Sequence, residues 1–523
     1  MKRIVLVFVL MCVLGLWSSA AAGSNGEGTL LDPSSLPEGW VLIGDYLASP
    51  SDLEQFSVRL GVQVVVLRNY VFSTPAGQLQ VNLVLTETEQ EAASLQELFL
   101  SFHPPENVGL SGRRVIEVVT EIPELARWAQ EKLVFSAEES CDQAALQELR
   151  AYLEAWSWPV FSWQDLTENL AKELPAYRIF LVGESHGAAC NQELESALLQ
   201  FLVQEGGVRS LLLELSPSIV GFLREYVATG DEALLEFAFS QVRGTYFFTR
   251  ENYNHWQHVR RLAQALPAGE ELRLIGLDIE HQPLLAFRYL QHLLDGLDDR
   301  LWAATKLAQI GQVLRGELRL NYTEAVRFTS DLLVELETEE VKEALGRLWG
   351  EVELVLSSLL AGLELQTVSG TEWNNGREQA MYANLLRQVS PEGGEKYFGQ
   401  WGLNHVFQGQ QLGVDWLASR IDQMEGFAGS ILSLVLVYSG SERISQDGTQ
   451  PVPLDTYRSS AGILADLSGE QPLLVKLDGP ESPFTQNLIW KLNEVAPTAG
   501  VTTDYYQYIL FVPRAQASSP LAF

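Results

Sequence analysis

Several apolar runs in this chain stop at an acid or an imidazole. Residues 179–182 read Ile-Phe-Leu-Val, and the turn that follows, Gly183-Glu184-Ser185-His186-Gly187, holds a carboxylate and an imidazole two positions apart. Residues 210–213 end at Glu214, and residues 272–277 end at Asp278 with Glu280 and His281 close behind. Residues 396–401 run into Gly402, Leu403, Asn404 and His405. Carboxylates and imidazoles brought together in a cleft can act as general bases, orient one another or hold a metal. A neutral imidazole held by a carboxylate can take a proton from water near neutral pH, a gain of about 10²- to 10⁴-fold. A bound divalent metal would lower the pKa of that water instead. Each residue taken singly also fits a structural role, Glu184 and His186 included, as a plain surface turn. Their recurrence at four run ends is what points to a site.

For such side chains to meet, the runs must be neighbouring strands of one sheet. After Gly187 the apolar positions Leu194, Ala197, Leu198, Phe201 and Leu202 follow helical spacing, so the stretch reads strand, glycine turn, helix. Further apolar runs at 431–438, 473–477 and 508–512 bring the count to about seven strands alternating with helices. That alternation predicts an α/β domain over residues 145–515, its mostly parallel sheet flanked by helices, with the strand ends gathered on one edge. Residues 284–365 are helical and acidic throughout, a large helical insertion covering one end of the sheet.

Upstream, strand-like segments at 40–43, 62–70, 79–85 and 114–119 alternate with helical ones at 51–60 and 89–102. This βαββαβ order predicts a small α+β domain of ferredoxin-like type over residues 38–135. It holds one histidine, His103, and no evident polar cluster, which suits a docking or regulatory module with a partner of its own.

The chain has 523 residues and a formal net charge of −32, from 67 acidic and 35 basic side chains. Such a balance repels nucleic acid and offers no basic face to anionic lipid. A hydrophobic fraction of 46% with 13 Trp is that of a globular protein. Lys2 and Arg3, the apolar residues 4–17 and the small residues 18–22 form a cleaved secretory signal over residues 1–22, followed by a Gly/Ser/Pro-rich linker over 23–37. No later run is long enough to span a membrane, so the expected product is secreted or otherwise extracytoplasmic. In an oxidising compartment Cys141 and Cys190 could pair; a nucleophilic Cys190 is the rival reading.

Other constellations are weaker. His255 and His258 share a spacing that two metal ligands could use, yet Trp256 and Val259 beside them suit packing. Ser185 lies between glycines as a nucleophile would, but His186 directly beside it is no position for a triad base. His292 reads as structural, and Gly-rich phosphate loops are absent.

The motifs GESHG at 183–187, LLLEL at 211–215, LIGLD at 274–278, REQAMYANLL at 377–386 and WGLNHV at 401–406 resemble those of the erythromycin esterase family. The wider superfamily joins those esterases to the ChaN haem-binding lipoproteins and the TIKI and TraB proteins. YYQYILFVPRA at 505–515 is similar to the family's last strand, so the resemblance covers about residues 160–515. It implies a sheet enclosing a deep cleft, and a hydrolase in which His186, partnered by Glu184, activates water against an ester, lactone or amide of a small molecule or peptide. Glu214 and His405 match further catalytic positions. Arg377 and Glu378 match the start of an R-[DE]-x-x-M helix, where Met381 also agrees; with Asp278, Glu280, His281 and Asn404 they are candidate substrate-binding residues. The single residue between Glu184 and His186 looks more like the ChaN and TIKI branches than the esterases. Glu193, Leu194 and Glu195 stand where the esterases tend to carry an arginine. The ChaN branch implies, as an alternative, a protein binding haem or another small ligand. The TIKI branch implies a metal-dependent peptidase, with a divalent metal on Glu184, His186, Glu214 or His405.

Overall fold

Alternating β-branched and aromatic residues make the first unit of the chain a five-stranded antiparallel sheet. Its strands are β1 (Val41–Leu47), β2 (Val64–Thr74), β3 (Gly77–Thr86), β4 (Val108–Ser111) and β5 (Arg114–Val119), in the order β1-β2-β3-β5-β4. The computed structural model describes residues 40–119 and 143–522, except 49–52, 54–55, 58–59, 75–76, 102, 105–106, 112–113, 296, 298–305, 412, 457–462 and 486–499. The expected signal segment, the linker and Cys141 therefore lie outside the described residues.

A helix over Glu89–Leu100 starts at a Thr88 capping box and packs Ala92, Leu95 and Phe99 against Val64, Leu67, Val84 and Val115. The small α+β sheet is thus present, but its pairing corrects the ferredoxin-like reading. A split βαβ sheet would run the first two strands parallel with another strand between them; here β1 pairs directly and antiparallel with β2, and β2 with β3. Element order is the same in both arrangements, and only cross-strand pairing separates them. Strand β4 is additional. The unit also holds a buried polar row: Asn69 donates to Asn82 (2.6 Å), Asn82 to Glu117 (2.8 Å), and His103 Nε2 lies 2.7 Å from Glu117. These residues are scattered in sequence, and the register alone lines up Asn69, Asn82 and Glu117.

The second unit begins at Tyr152. Its sheet is built from β6 (Ser157–Pro159), β7 (Ile179–Glu184), β8 (Val208–Leu213), β9 (Arg273–Gly276), β10 (Lys396–Gly402), β11 (Ile431–Ser439), β14 (Leu473–Lys476) and β15 (Tyr508–Pro513); β12 (Ser441–Ile444) and β13 (Pro451–Leu454) form a separate hairpin. The order is β6-β14-β15-β11-β7-β10-β8-β9. From β15 through β9 every pair is parallel, and only β14 runs against its neighbours. All seven expected strands are present, with the short β6 in addition.

The chain passes from β7 to β8 and β9, and later returns to lay β10 between β7 and β8. Crevices at such reversals, outside the carboxyl ends of the strands, are where open α/β sheets take ligands. Between β9 and β10 the described residues hold only helices, the last two being Trp349–Glu364 and Gly370–Gln388. The helical stretch therefore runs past 365 and includes the helix bearing Arg377. That helix is fixed to the edge strand: Asn384 Nδ2 donates to the Leu277 carbonyl (2.9 Å) and Gln388 Nε2 to that of Gly276 (3.0 Å). Arg377, Asn384 and Gln388 share one helix face, so these bonds turn Arg377 toward the strand ends.

Candidate active site

Glu184 is the last residue of β7, a strand buried throughout. Its Oε1 lies 2.8 Å from His186 Nδ1, and its Oε2 accepts from Gln400 Nε2 at 2.7 Å. A carboxylate there makes Nδ1 the protonated nitrogen, leaving Nε2 with the lone pair in the neutral ring. Nε2 stands 3.9 Å from Glu214 Oε2, beyond hydrogen-bond distance. The turn itself is held from several sides. Asn191 Nδ2 donates to the Ser185 carbonyl (2.9 Å), and the Gly187 carbonyl accepts from Ile444 and Ser518 amides, both at 2.8 Å. Gly187 has φ +94°, and a Cβ on it would meet Ile444 at 3.0 Å, so glycine is required twice over. The surrounding protein works against a charge on His186, but the Glu184 hydrogen bond and the Glu214 and Glu184 charges outweigh it and raise its pKa.

Behind this pair lies a network centred on Arg377. Its Nε donates to Asp278 Oδ1 and its Nη2 to Asp278 Oδ2 and Glu214 Oε1, each at 2.8 Å. Glu214 also accepts from the Gly402 amide (2.8 Å) and lies 3.1 Å from His405 Nε2. The other His405 nitrogen is 2.7 Å from buried Glu378, whose Oε2 accepts from the Leu417 amide. Trp401 and Trp416 set their rings edge-on to His405. Burial disfavours the His405 charge, yet Glu214 and Glu378 raise its pKa to about 10, so it is an imidazolium at neutral pH. Burial pushes the other way too for Glu214 and Asp278, but His405 with Arg377 holds Glu214 well below the usual carboxylate range, and Arg377 does the same for Asp278. His281 Nε2 lies 2.9 Å from Asp278, and that bond raises its pKa.

Glu184, His186, Glu214, Asp278 and His281 all border a cavity of about 310 Å³. Arg377, Glu378 and His405 stand behind that wall and act on it through Glu214 and Asp278. Two expected site residues belong neither to the cavity wall nor to the network behind it. Glu280 is buried and bound to Ser218, whose amide (2.8 Å) and hydroxyl (2.6 Å) both donate to it; burial raises its pKa to about 7. Asn404 sits in the turn Leu403–Val406 and is not among the residues lining the cavity. Glu195, Tyr246, Asn252, His255 and Gln400 also line the cavity, and none of them stands at a strand-end motif that marks it as a site residue. Glu195 lies, with Glu193 and Leu194, in the stretch where the resembled esterases tend to carry arginine, a usable signal. His255 combines both roles its neighbourhood allows: it borders the cavity, while Trp256 beside it is buried.

Glu184, His186, Glu214 and His405 do not form a metal-ligand set. Arg377 already supplies the cation that Glu214 and Asp278 require, and His405 faces a carboxylate from each nitrogen, leaving no lone pair for a metal. Among the described residues no group of three or more His, Cys, Asp or Glu is disposed to hold a metal ion. Haem fits no better: among the described residues the cavity lining includes no Lys or Arg to meet its propionates.

Solved structures share this fold. A Bacillus cereus protein superposes with a TM-score of 0.55 at 15% identity, over 72% of this chain and 99% of its own. A structure described as a succinoglycan biosynthesis protein gives 0.54 at 13%, over 73% and 100%. A mutant erythromycin esterase in its open conformation gives 0.49 at 15%, over 69% and 96%. No family model and no curated protein matches the chain. The first two likenesses define the class: an α/β protein with a large, mostly parallel sheet flanked by helices.

Proposed function

We propose that this protein is a hydrolase that activates water with His186 and cleaves a compact ester, lactone or amide. One observation carries the reading: a carboxylate orients the imidazole from Nδ1 while Nε2 stays free of a close partner beside a cavity. In the neutral ring, Nε2 takes a proton from water as the oxygen adds to the substrate carbonyl. Glu184 stabilises the imidazolium that forms, and Arg377 with His405 keeps Glu214 ionised next to it, which favours proton uptake by His186. A cavity near 310 Å³ lies at the small end of the roughly 300–1,000 Å³ usual for ligand sites, which favours a compact substrate over a large macrocycle. With no Lys or Arg among the described residues of the wall, a neutral substrate suits it better than an anionic one.

The resemblance to esterase motifs supports the same reaction class. Export, proposed from residues 1–22, would place the activity outside the cytoplasm. Replacing His186 by Ala should abolish hydrolysis of a panel of small esters and lactones while the melting temperature holds; undiminished turnover would end the proposal.

A further inference from the structure

A second acid–imidazole pair borders the same cavity. Glu195, on the helix Ala189–Gln204, and His255, on the helix Arg250–Gln264, are both buried and both line it. His255 Nδ1 lies 2.8 Å from Ser196 Oγ. The one hydroxyl proton of Ser196 goes to the Gln192 carbonyl at 2.7 Å, which can only accept. Toward His255, then, Ser196 Oγ is the acceptor, and Nδ1 carries the ring proton. Nε2 is left as a bare lone pair, buried, with Glu195 Oε2 3.5 Å away. An ionised carboxylate would face that lone pair unfavourably, whereas a carboxylic acid can donate to it.

The setting agrees with the second state. Burial, reinforced by the charge of Glu184 on β7, raises the Glu195 pKa well above the usual carboxylate range. Burial, with His258 on the same helix, pushes His255 down to about 3, so it does not compete for the proton. His258 is itself pushed down by burial and by Arg261. One carboxyl is committed to an imidazole base, and the other is kept neutral in the same cavity. Two carboxyls whose surroundings drive them apart in this way divide base and acid work.

We propose that Glu195 is the general acid of this site, protonating the leaving group in the hydrolysis that His186 begins. The inference rests on the hydrolase reading and adds a second catalytic group to it. Water loses one proton to His186 Nε2 while its oxygen bonds to the carbonyl carbon. The tetrahedral intermediate then breaks its C–O or C–N bond, the electron pair leaves with the alcohol or amine, and the Glu195 proton goes to that atom. The imidazolium proton returns through solvent to the Glu195 carboxylate, and both groups are reset. Substrates with poor leaving groups, alkyl esters and amides, gain most from such a donor.

The test compares two esters of one acyl group, an alkyl ester and its nitrophenyl counterpart, in the wild-type protein, Glu195→Gln and His186→Ala. Glu195→Gln should lose about 10²- to 10⁴-fold on the alkyl ester and little on the nitrophenyl ester, whose alcohol departs without a proton. The high-pH fall of the alkyl-ester rate should vanish in the same variant. Equal losses on both esters, or none on either, overturn the role of Glu195 while leaving the hydrolase intact. If the wild type cleaves neither ester, or His186→Ala cleaves both normally, the hydrolase reading fails and takes the proposal with it. Infrared difference spectra between wild type and Glu195→Gln at neutral pH provide a readout apart from turnover: a protonated-carboxyl band belonging to Glu195 is expected, and its absence overturns the proposal.

Discussion

Gly402 lies opposite Glu184 in the β7–β10 register, and the side chain it lacks leaves the room that His186 uses. A Cβ on Gly402 would stand 3.2 Å from His186 Nε2, 3.4 Å from His405 Cδ2 and 3.5 Å from Glu214 Oε2. The backbone there, φ −52° and ψ 137°, is open to any residue. Gly402→Ala should therefore fold normally and strike only the site. Turnover should fall roughly 10- to 100-fold, with a melting temperature close to that of wild type; steady-state rates and a thermal melt check both halves.

Arg377 is a structural cation as much as a site residue. Arg377→Met leaves Glu214 and Asp278 without the guanidinium that bridges them. Breaking such a buried pair costs about 3–5 kcal/mol, readable as a drop in the denaturant midpoint. Arg377→Lys keeps the charge but loses the fork that reaches both carboxylates, so it should recover only part of the difference.

His405 ties stability to pH. Its pKa, about 6.5 for an ordinary histidine, is raised to about 10 in the fold, so the folded state holds a proton that the unfolded chain has released. The contribution is fully present below about 6.5, declines as pH rises from there, and is gone above about 10. Unfolding free energies measured from pH 6 to pH 10.5 should fall more steeply for wild type than for His405→Gln. Equal slopes would show that the proton is not held where the geometry puts it.

Cys190 is not suited to be a nucleophile. Burial, with Glu184 and Glu193 near it, pushes its thiol up to about 12. Its Sγ lies 3.7 Å from Asn191 Oδ1. Alkylation near pH 8 should be slow, and Cys190→Ser should retain ester turnover; a rate lost in that variant and restored by no other thiol would assign the cysteine a direct part.

The four strand ends were legible in the sequence because parallel strands deliver their carboxyl ends to one edge, however long the intervening segments. What neighbours what along that edge was not: β10 arrives last in sequence among the four strands yet lies between β7 and β8. Arg377 could be matched by motif, but its aim is set by acceptors on the edge strand, Leu277 and Gly276, which no periodicity announces. Glu280 stands two residues past Asp278 and looks equivalent in sequence, yet the chain turns it to Ser218. Glu195 and His255 ride on separate helices, and only the contact between those helices makes them a pair. Strand pairing in the first unit escaped for the same reason, since element order does not encode which edges meet.

The turn bearing His186 is held by residues more than 300 positions later in the sequence. Ser518 donates to the Gly187 carbonyl, Gln516 accepts from the Ala189 amide, and Ser519 accepts from Arg250 at the start of the helix that carries His255. The turn of His186 and the helix of His255 are thus tethered to one segment, residues 516–519. During synthesis the strands bearing the acids can pair long before that segment exists. Until residues 516–519 have been made, the growing chain therefore carries its reactive side chains without the clasp that aligns them, however much of the sheet has formed.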